Sequence, residues 1–389
     1  MLTTETAPEY VRSTGVLSDA STASEISGGN LNFAFEVTNG TRSVFLKQTP
    51  GYVKVLGPEA KISDERLDLE HATYAEWASS IGSHPVANAC LPDVLHFDPA
   101  RKVMILEFLG SAVLLHERLM SGHFDKDAAQ ALGTFLGVAH VCTHSTLVSA
   151  ERSAALTAAF ANSELRGLQL EYVFSKCYRE AEHAAALRDD PAFMAEVEAL
   201  KAAYRGETVG NLALCHGDCH AGSVMVNGPT VKIIDPEFAV YGPPGLDLGC
   251  LLSSYLLAAV YHASSSVERG GNDSADDVLQ QLEAAMSALC KAYSDAVLGG
   301  GGSGGSGLPS DVMKAIGEDA VGFAGCEVAR TALGFAGVRG LPLADADAKA
   351  KAEAAALGIA ERCIRGRASG GLEVVFEEMA RLRETVKRA

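Results

Sequence analysis

The sequence lacks an excess of positive charge, an apolar run of bilayer length, a framework of paired cysteines and any internal repeat. Its 32 Lys and Arg stand against 49 Asp and Glu, for a formal net charge of −17. That balance repels phosphate backbones and acidic membrane surfaces, so neither nucleic acid nor membrane is an expected partner. An anionic small molecule is not excluded, because a cation, one lysine and a few backbone N–H groups set the local field of a pocket. The longest apolar stretch, Leu246 to Tyr261, spans 16 residues with Asp247 near its start. It falls short of the roughly 20 that cross a bilayer and reads as a buried core helix. Met1 to Ala20 show no basic start followed by an apolar run, so no secretory leader is expected. Nine cysteines, odd in number and scattered through apolar and helical contexts, argue against a disulfide scaffold. They point to a reducing compartment, the cytoplasm.

What is present is a chain of 389 residues, 48% hydrophobic and 21% charged, enough for two domains or one two-lobed unit with a substantial core. Leu31 to Val37 and Ser43 to Gln48 read as a β-hairpin turned at Asn39-Gly40. After Ser63, a plausible N-cap, the residues Leu67, Glu70, Tyr74, Trp77 and Ile81 recur at helical steps, which turns Glu70 toward the apolar side. Val94 to Phe97 and Val103 to Phe108 read as two more strands. Beyond residue 110 helix-favouring sequence dominates, interrupted by a β island at Leu212 to Ile234. The expected class is α+β: a small, mainly β N-terminal lobe (1–109) followed by a large α-helical C-terminal lobe (110–389). Gly299 to Gly307, GGGGSGGSG, reads as a flexible solvated insertion of roughly 15 to 18 Å span, and Ser264 to Asp277 as a second surface loop.

The chemistry concentrates in Cys215-His216-Gly217-Asp218-Cys219-His220, followed by a strand pair turned at Asn227-Gly228 that leads into Asp235-Pro236-Glu237. Folding 17 residues back as a hairpin puts Asp218 and Asp235 on one cleft. Phosphoryl transfer asks for such an arrangement: one carboxylate at the incoming hydroxyl, others holding Mg²⁺ against the phosphates. Two rivals stand beside this reading. Cys215, His216, Cys219 and His220 are all zinc-ligand types, although their spacing matches no zinc knuckle and no second cluster follows. His-Gly-Asp is also an ordinary turn between strands.

HGDCH followed by the acidic site at Asp235 resembles the catalytic segment of aminoglycoside phosphotransferases and choline kinases. More narrowly, HGDCHAGSVMV with IIDPEFAVYGPPGLDLG is similar to methylthioribose kinases, as are EISGGNLNFAFEV, FLKQTPGYVKVLG and GFAGCEVAR. The resemblance implies a bilobal protein-kinase-like fold and ATP-dependent phosphorylation of 5-methylthioribose at its 1-hydroxyl, in methionine salvage. It gives Asp218 the task of orienting and deprotonating that hydroxyl, and gives Asp235 and Glu237, flanking Pro236, the Mg²⁺ on the ATP phosphates. Lys47 would reach the α- and β-phosphates with Glu70 as its ion-pair partner; the plainer reading of Lys47 is an exposed strand lysine. Asn30, behind Gly28-Gly29, would contact the nucleotide, and Glu107, Phe108 and Leu109 would form the hinge beside adenine, or simply end a strand. Ser223 stands where broader relatives carry a metal-binding Asn. Asp247 would tie down the catalytic loop, since a buried acid must find donors. Arg330 would meet the sugar; the family's second arginine is here Thr331. Family members are commonly homodimers, and no interface is legible in the sequence. The rival functions are a kinase for another small alcohol (an aminoglycoside, choline or homoserine) and a nucleotide-binding pseudokinase, the latter opposed by Lys47, Asp218, Asp235 and Glu237 occurring together.

Overall fold

The computed structural model describes residues 1–389 except 208–209, 266–273, 303–305, 337–339 and 389. Its first element, helix α1 (Ala7–Thr14), covers one face of an antiparallel sheet built from β1 (Thr22–Glu25), β2 (Phe33–Thr38), β3 (Ser43–Gln48), β4 (Val94–Asp98) and β5 (Val103–Glu107). The strand order is β1-β2-β3-β5-β4. The expected hairpin is β2–β3, in register from Phe33 opposite Gln48 to Thr38 opposite Ser43. Asn39 closes its turn by accepting the N–H groups of Thr41 and Arg42 on Oδ1, at 2.9 and 2.7 Å.

Alternation along these strands sorts their side chains by face. Phe35, Val37, Val44, Leu46, Val103 and Ile105 join Tyr10 and Val11 in one cluster. Met104 and Leu106 lie in the other, main core with Leu67, Tyr74, Trp77 and Ile81 of helix α2 (Arg66–Ile81). Lys47, next to Leu46 and paired with Met104, therefore belongs to the face that meets α2. The start of α2 differs from expectation. Ser63 does not cap it; its hydroxyl accepts from Glu65 N at 3.2 Å, and the Arg66 guanidinium takes the carbonyls of Ser63 and Pro50, at 2.6 and 3.0 Å.

Helices make up most of the rest: α3 (Lys126–Thr143), α4 (Ser163–Phe174), α5 (Gly245–Ser264), α6 (Ala275–Leu298), α7 (Ser310–Ala332), α8 (Ala346–Gly370) and α9 (Glu373–Arg388). The apolar run at Leu246 is longer as a helix than as a run. The 20 residues of α5 have the length to cross a bilayer, but 83% of its most apolar window is buried inside the protein, as a core helix requires. Glycines let these helices meet at backbone distance: a Cβ on Gly133 would lie 2.2 Å from Leu289 O, and one on Gly249 2.4 Å from Ala320 O.

Between the helices lies the β island. β6 (Val113–Leu114), β8 (Val224–Asn227) and β9 (Thr230–Ile233) form one small sheet, and β7 (Ala213–Cys215) pairs antiparallel with β10 (Val240–Gly242). The chain thus leaves β7 into His216-Gly217-Asp218 and leaves β9 into Asp235-Pro236-Glu237. Of the Gly/Ser segment, 303–305 lie outside the described residues, but the beginning is packed rather than solvated. Gly300–Gly302 form a 3₁₀ turn, and a Cβ on the buried Gly301 would contact Val138 and Cys142 of α3. In the loop expected at Ser264 to Asp277, 266–273 lie outside the described residues, and Ser274 caps α6 through a reciprocal bond with Asp277.

Candidate active site

The loop after β7 is held from below. Asp247, in the first turn of α5, accepts the backbone N–H groups of His216 and Gly217 at 2.7 and 3.0 Å, and its Oδ2 lies 3.2 Å from His140 Nε2. The Tyr293 hydroxyl meets His140 Nδ1 at 2.9 Å, so a fully buried acid finds the donors it needs. Gly217 has φ +86, and a Cβ there would fall 2.0 Å from Phe238 O; only glycine fits. Its carbonyl accepts from Gln169 Nε2 at 2.6 Å, and Gln169 is in turn held by the Tyr204 hydroxyl at 2.7 Å. His216 Nε2 donates to Ile234 O at 2.9 Å, tying this loop to the residue before Asp235. Ser223 turns its hydroxyl to the Asp218 carbonyl, at 3.0 Å.

The Asp218 carboxylate, 18% exposed, lies near His220 and Arg330. His220 Nε2 lies 3.5 Å from Oδ2, and Arg330 Nη2 lies 3.8 Å from Oδ1. Because Nδ1 of His220 accepts from Gly222 N at 2.8 Å, its proton sits on Nε2, toward Asp218.

The second acidic station surrounds Lys47. Its ammonium, on a side chain only 3% exposed, meets Glu70 Oε2 at 2.5 Å and Asp235 Oδ1 at 2.8 Å. Burial works against that charge, but Asp235, Glu70 and Glu237 more than offset it and keep the ammonium protonated. Burial pushes the Glu70 carboxyl up against the pull of Lys47. Burial also opposes the Asp235 charge, yet Lys47 overcomes it and holds that carboxyl below its usual range, which makes Asp235 the firmer counter-charge. Asp235 sits deep in the cleft with half its side chain still reachable by water, in a left-handed conformation (φ 59) rare for a non-glycine residue. Glu237 is buried: Asn32 Nδ2 donates to its Oε2 at 3.0 Å, and Arg66 Nε lies 3.2 Å from the same oxygen. Arg66 Nη2 and the Thr49 hydroxyl both donate to Asn32 Oδ1, at 3.1 and 2.9 Å. Two hard carboxylates, one open to the cleft and one clamped beside it, are a donor set that fits Mg²⁺.

Arg330 is buried on α7, with Nε donating to Glu327 Oε2 at 2.7 Å and Nη2 making no hydrogen bond among the described residues. Thr331, being uncharged, supplies no second cation, and its hydroxyl donates to Glu327 O at 2.9 Å. Asn30 is exposed, with its carbonyl accepting from Val55 N at 3.1 Å. Glu107 ends β5 with its carboxylate taking Asp93 N (3.0 Å) and Lys232 Nζ (2.7 Å); Phe108 and Leu109 follow, half-buried. Pro236 is buried in the 3₁₀ turn that presents Glu237.

The structure therefore gathers Lys47, Glu70, Asp235 and Glu237 at one station and Asp218 with Arg330 at a second, joined through His216. Asn30 and the strand end at Glu107 lie outside both sets of contacts. Cys215, His216, Cys219 and His220 do not converge as a metal cluster among the described residues; Cys215 and Cys219 are buried thiols, which raises their pKa. Sequence reasoning missed Asn32, Arg66, His140 and Glu327. Arg66 and Glu327 carried a signal, standing one helical turn before Glu70 and Arg330.

The model of the phosphotransferase enzyme family matches residues 22–286. The methylthioribose kinase of Yersinia pseudotuberculosis serotype O:3 (strain YPIII) is 30% identical over 364 residues, covering 87% of this chain and 86% of that protein. The methylthioribose kinase of Exiguobacterium sibiricum is 29% identical over 345 residues, covering 86% and 85%. Among solved structures, an amicoumacin kinase in complex with AMP-PNP and Ca²⁺ superimposes with a TM-score of 0.50 at 13% identity, covering 92% of this chain and 93% of that one; this likeness speaks to the fold alone. The chain belongs to the phosphotransferase enzyme family, among relatives that are methylthioribose kinases, and is a small-molecule kinase.

Proposed function

We propose that the protein transfers the γ-phosphoryl group of ATP to the 1-hydroxyl of 5-methylthioribose, a step of methionine salvage. The observation that carries the reaction class is the link from His216 Nε2 to Ile234 O, which fixes the Asp218 loop against the station where Lys47 lies between Glu70 and Asp235. Extended likeness to methylthioribose kinases supports the substrate.

In this reading Asp218 orients the acceptor hydroxyl and takes its proton as the oxygen bonds to the γ-phosphorus; the bond to the β–γ bridging oxygen breaks and ADP leaves. Lys47, held by Glu70, neutralises the α- and β-phosphates. Asp235 and Glu237 would hold Mg²⁺, which when bound offsets charge on the phosphate oxygens. Glu107, Phe108 and Leu109 would border the adenine, Asn30 would lie over the phosphates, and Arg330 would meet the sugar. We further infer a nucleotide lobe at 1–109, a catalytic lobe at 110–389, and a homodimeric cytoplasmic enzyme, in keeping with nine cysteines that form no disulfide among the described residues.

One observation favours a second reading, a kinase for a different small alcohol: Thr331 replaces the second arginine of the family motif. An ATP-consumption assay separates the two. Wild type should turn over methylthioribose in preference to choline, homoserine or an aminoglycoside, and Asp218→Asn should lose about 10² to 10⁴ in kcat, the range for a general base. A wild type inert toward methylthioribose sinks the substrate, and an Asp218→Asn variant of full activity sinks the mechanism.

A further inference from the structure

We infer that Glu327 is a positioning residue for the acceptor: it holds the Arg330 guanidinium by Nε so that the Nη2 edge faces acceptor oxygens beside Asp218. The inference rests on the phosphoryl-transfer reading above and deepens it.

Three observations carry it. Glu327 and Arg330 are both 7% exposed and stand one turn apart on α7, joined by a 2.7 Å charge-assisted bond from Nε to Oε2. On the same guanidinium Nη2 is buried with no hydrogen-bond partner among the described residues, 3.8 Å from Asp218 Oδ1. A buried N–H left unpaired is unfavourable, so a geometry that keeps it bare suits a ligand atom that completes it. Finally, carboxylate oxygens of Asp218 and Glu327 and the Cys250 thiol lie within 4.8 Å of one another. Arg330 is thus a single cation between two acids, and Glu327 draws it away from Asp218.

That competition defines what Glu327 does. With its charge removed, Arg330 has Asp218 as the carboxylate in reach among the described residues, and closing the 3.8 Å gap to it both fills the acceptor space and ties up the base. Thr331, its hydroxyl already bonded to the Glu327 carbonyl, offers no second cation to replace Arg330. A salt bridge serving only to hold α7 in the core would have no reason to leave the guanidinium edge nearest Asp218 bare.

The test uses the full chain as Glu327→Gln and Glu327→Asp, with kinetics for methylthioribose, calorimetry for MgADP, thermal melting and a crystal structure of each variant. Glu327→Gln should raise the acceptor KM and lower kcat/KM by about 10²-fold, as a misplaced positioning group does, while MgADP affinity holds. Glu327→Asp, which keeps the charge, should recover part of that loss. The crystal structure of Glu327→Gln should show Arg330 paired with Asp218. An unchanged acceptor KM, or Arg330 unmoved in that structure, overturns the inference; so does a loss of MgADP binding and melting temperature that Glu327→Asp shares in full. Should Glu327→Gln fail to fold, an unchanged acceptor KM in Glu327→Asp overturns it equally. A wild type that ignores methylthioribose defeats the substrate assignment alone, and the position of Arg330 in the variant structures still decides the role of Glu327.

Discussion

Gly217 separates two residues of the proposed catalytic loop that face different ways: His216, which reaches Ile234 O, and Asp218, which faces Arg330. Its φ of +86, and the mere 2.0 Å that would separate a Cβ from Phe238 O, leave no room for a side chain. Gly217→Ala should therefore push the loop off the 3₁₀ turn that carries Glu237, costing about 1–3 kcal/mol of stability as an overpacked site does. Denaturant unfolding measures the stability and a kcat assay the accompanying loss of turnover; an unchanged unfolding midpoint would show that the loop shifts freely. At this scale the sequence is informative where chemistry and spacing coincide. Lys47 and Glu70 find each other because a strand alternates and a helix repeats, so each residue's face can be read locally. Asn32 could not be found that way. Its partner, Glu237, lies 205 residues onward, and nothing near Asn32 distinguishes a buried amide from the exposed Asn30 two positions earlier.

Helix α2 addresses both acids proposed to hold Mg²⁺ from one face. Glu70 reaches Asp235 through Lys47, and Arg66, one turn earlier, lies beside Glu237 and holds Asn32 in place. The position of a single element thus sets the spacing of the two carboxylates. Arg66→Met keeps the apolar stem and removes the cation, leaving Glu237 buried with Asn32 as its remaining donor. It should weaken Mg²⁺ binding in the presence of ADP by about 10-fold, the lower end for loss of a residue that orients a metal ligand. Calorimetric titration with Mg²⁺ checks this; unaltered affinity would reduce Arg66 to an anchor for the start of α2 through Pro50 O and Ser63 O. That same start is not legible at Ser63, because a hydroxyl before a helical pattern is the usual cap, whereas here a buried arginine competes for the local carbonyls. The glycine run after α6 misleads for a related reason: composition signals chain flexibility, but Gly301 is packed against α3, in a left-handed conformation (φ +69) that favours glycine.

Across the whole molecule, the two halves of the site are coupled by helices that touch backbone to backbone. α5 supplies Asp247 beneath the loop that carries Asp218 and α7 supplies Arg330 beside Asp218, and Gly249 lets them meet at Ala320. Order of lobes and class of fold are legible because β-alternation gives way to helical sequence near residue 110; the helix pairing is not, since glycine within a helix reads as a weak former until its close neighbour is seen. The same interface contains an acid that chemistry does not use. Asp319 of α7 is half-buried beside Arg367 of α8, at 3.5 Å, and its loss of water contact, only partly countered by Arg367, pushes its carboxyl up to about 6. An acid whose folded value lies above its unfolded one gives its full stability below the unfolded value and loses it as pH rises through the folded one. Asp319 should therefore destabilise the protein increasingly from about pH 4 to above pH 6. Replacing it with Asn removes that penalty, and Arg367 keeps Glu196 as a partner at 2.9 Å. Asp319→Asn should gain up to about 3 kcal/mol at pH 8 and about half of that at pH 5. Urea unfolding at the two pH values decides it: a gain that is the same at both would mean that packing, and not the buried charge, separates the variant from wild type.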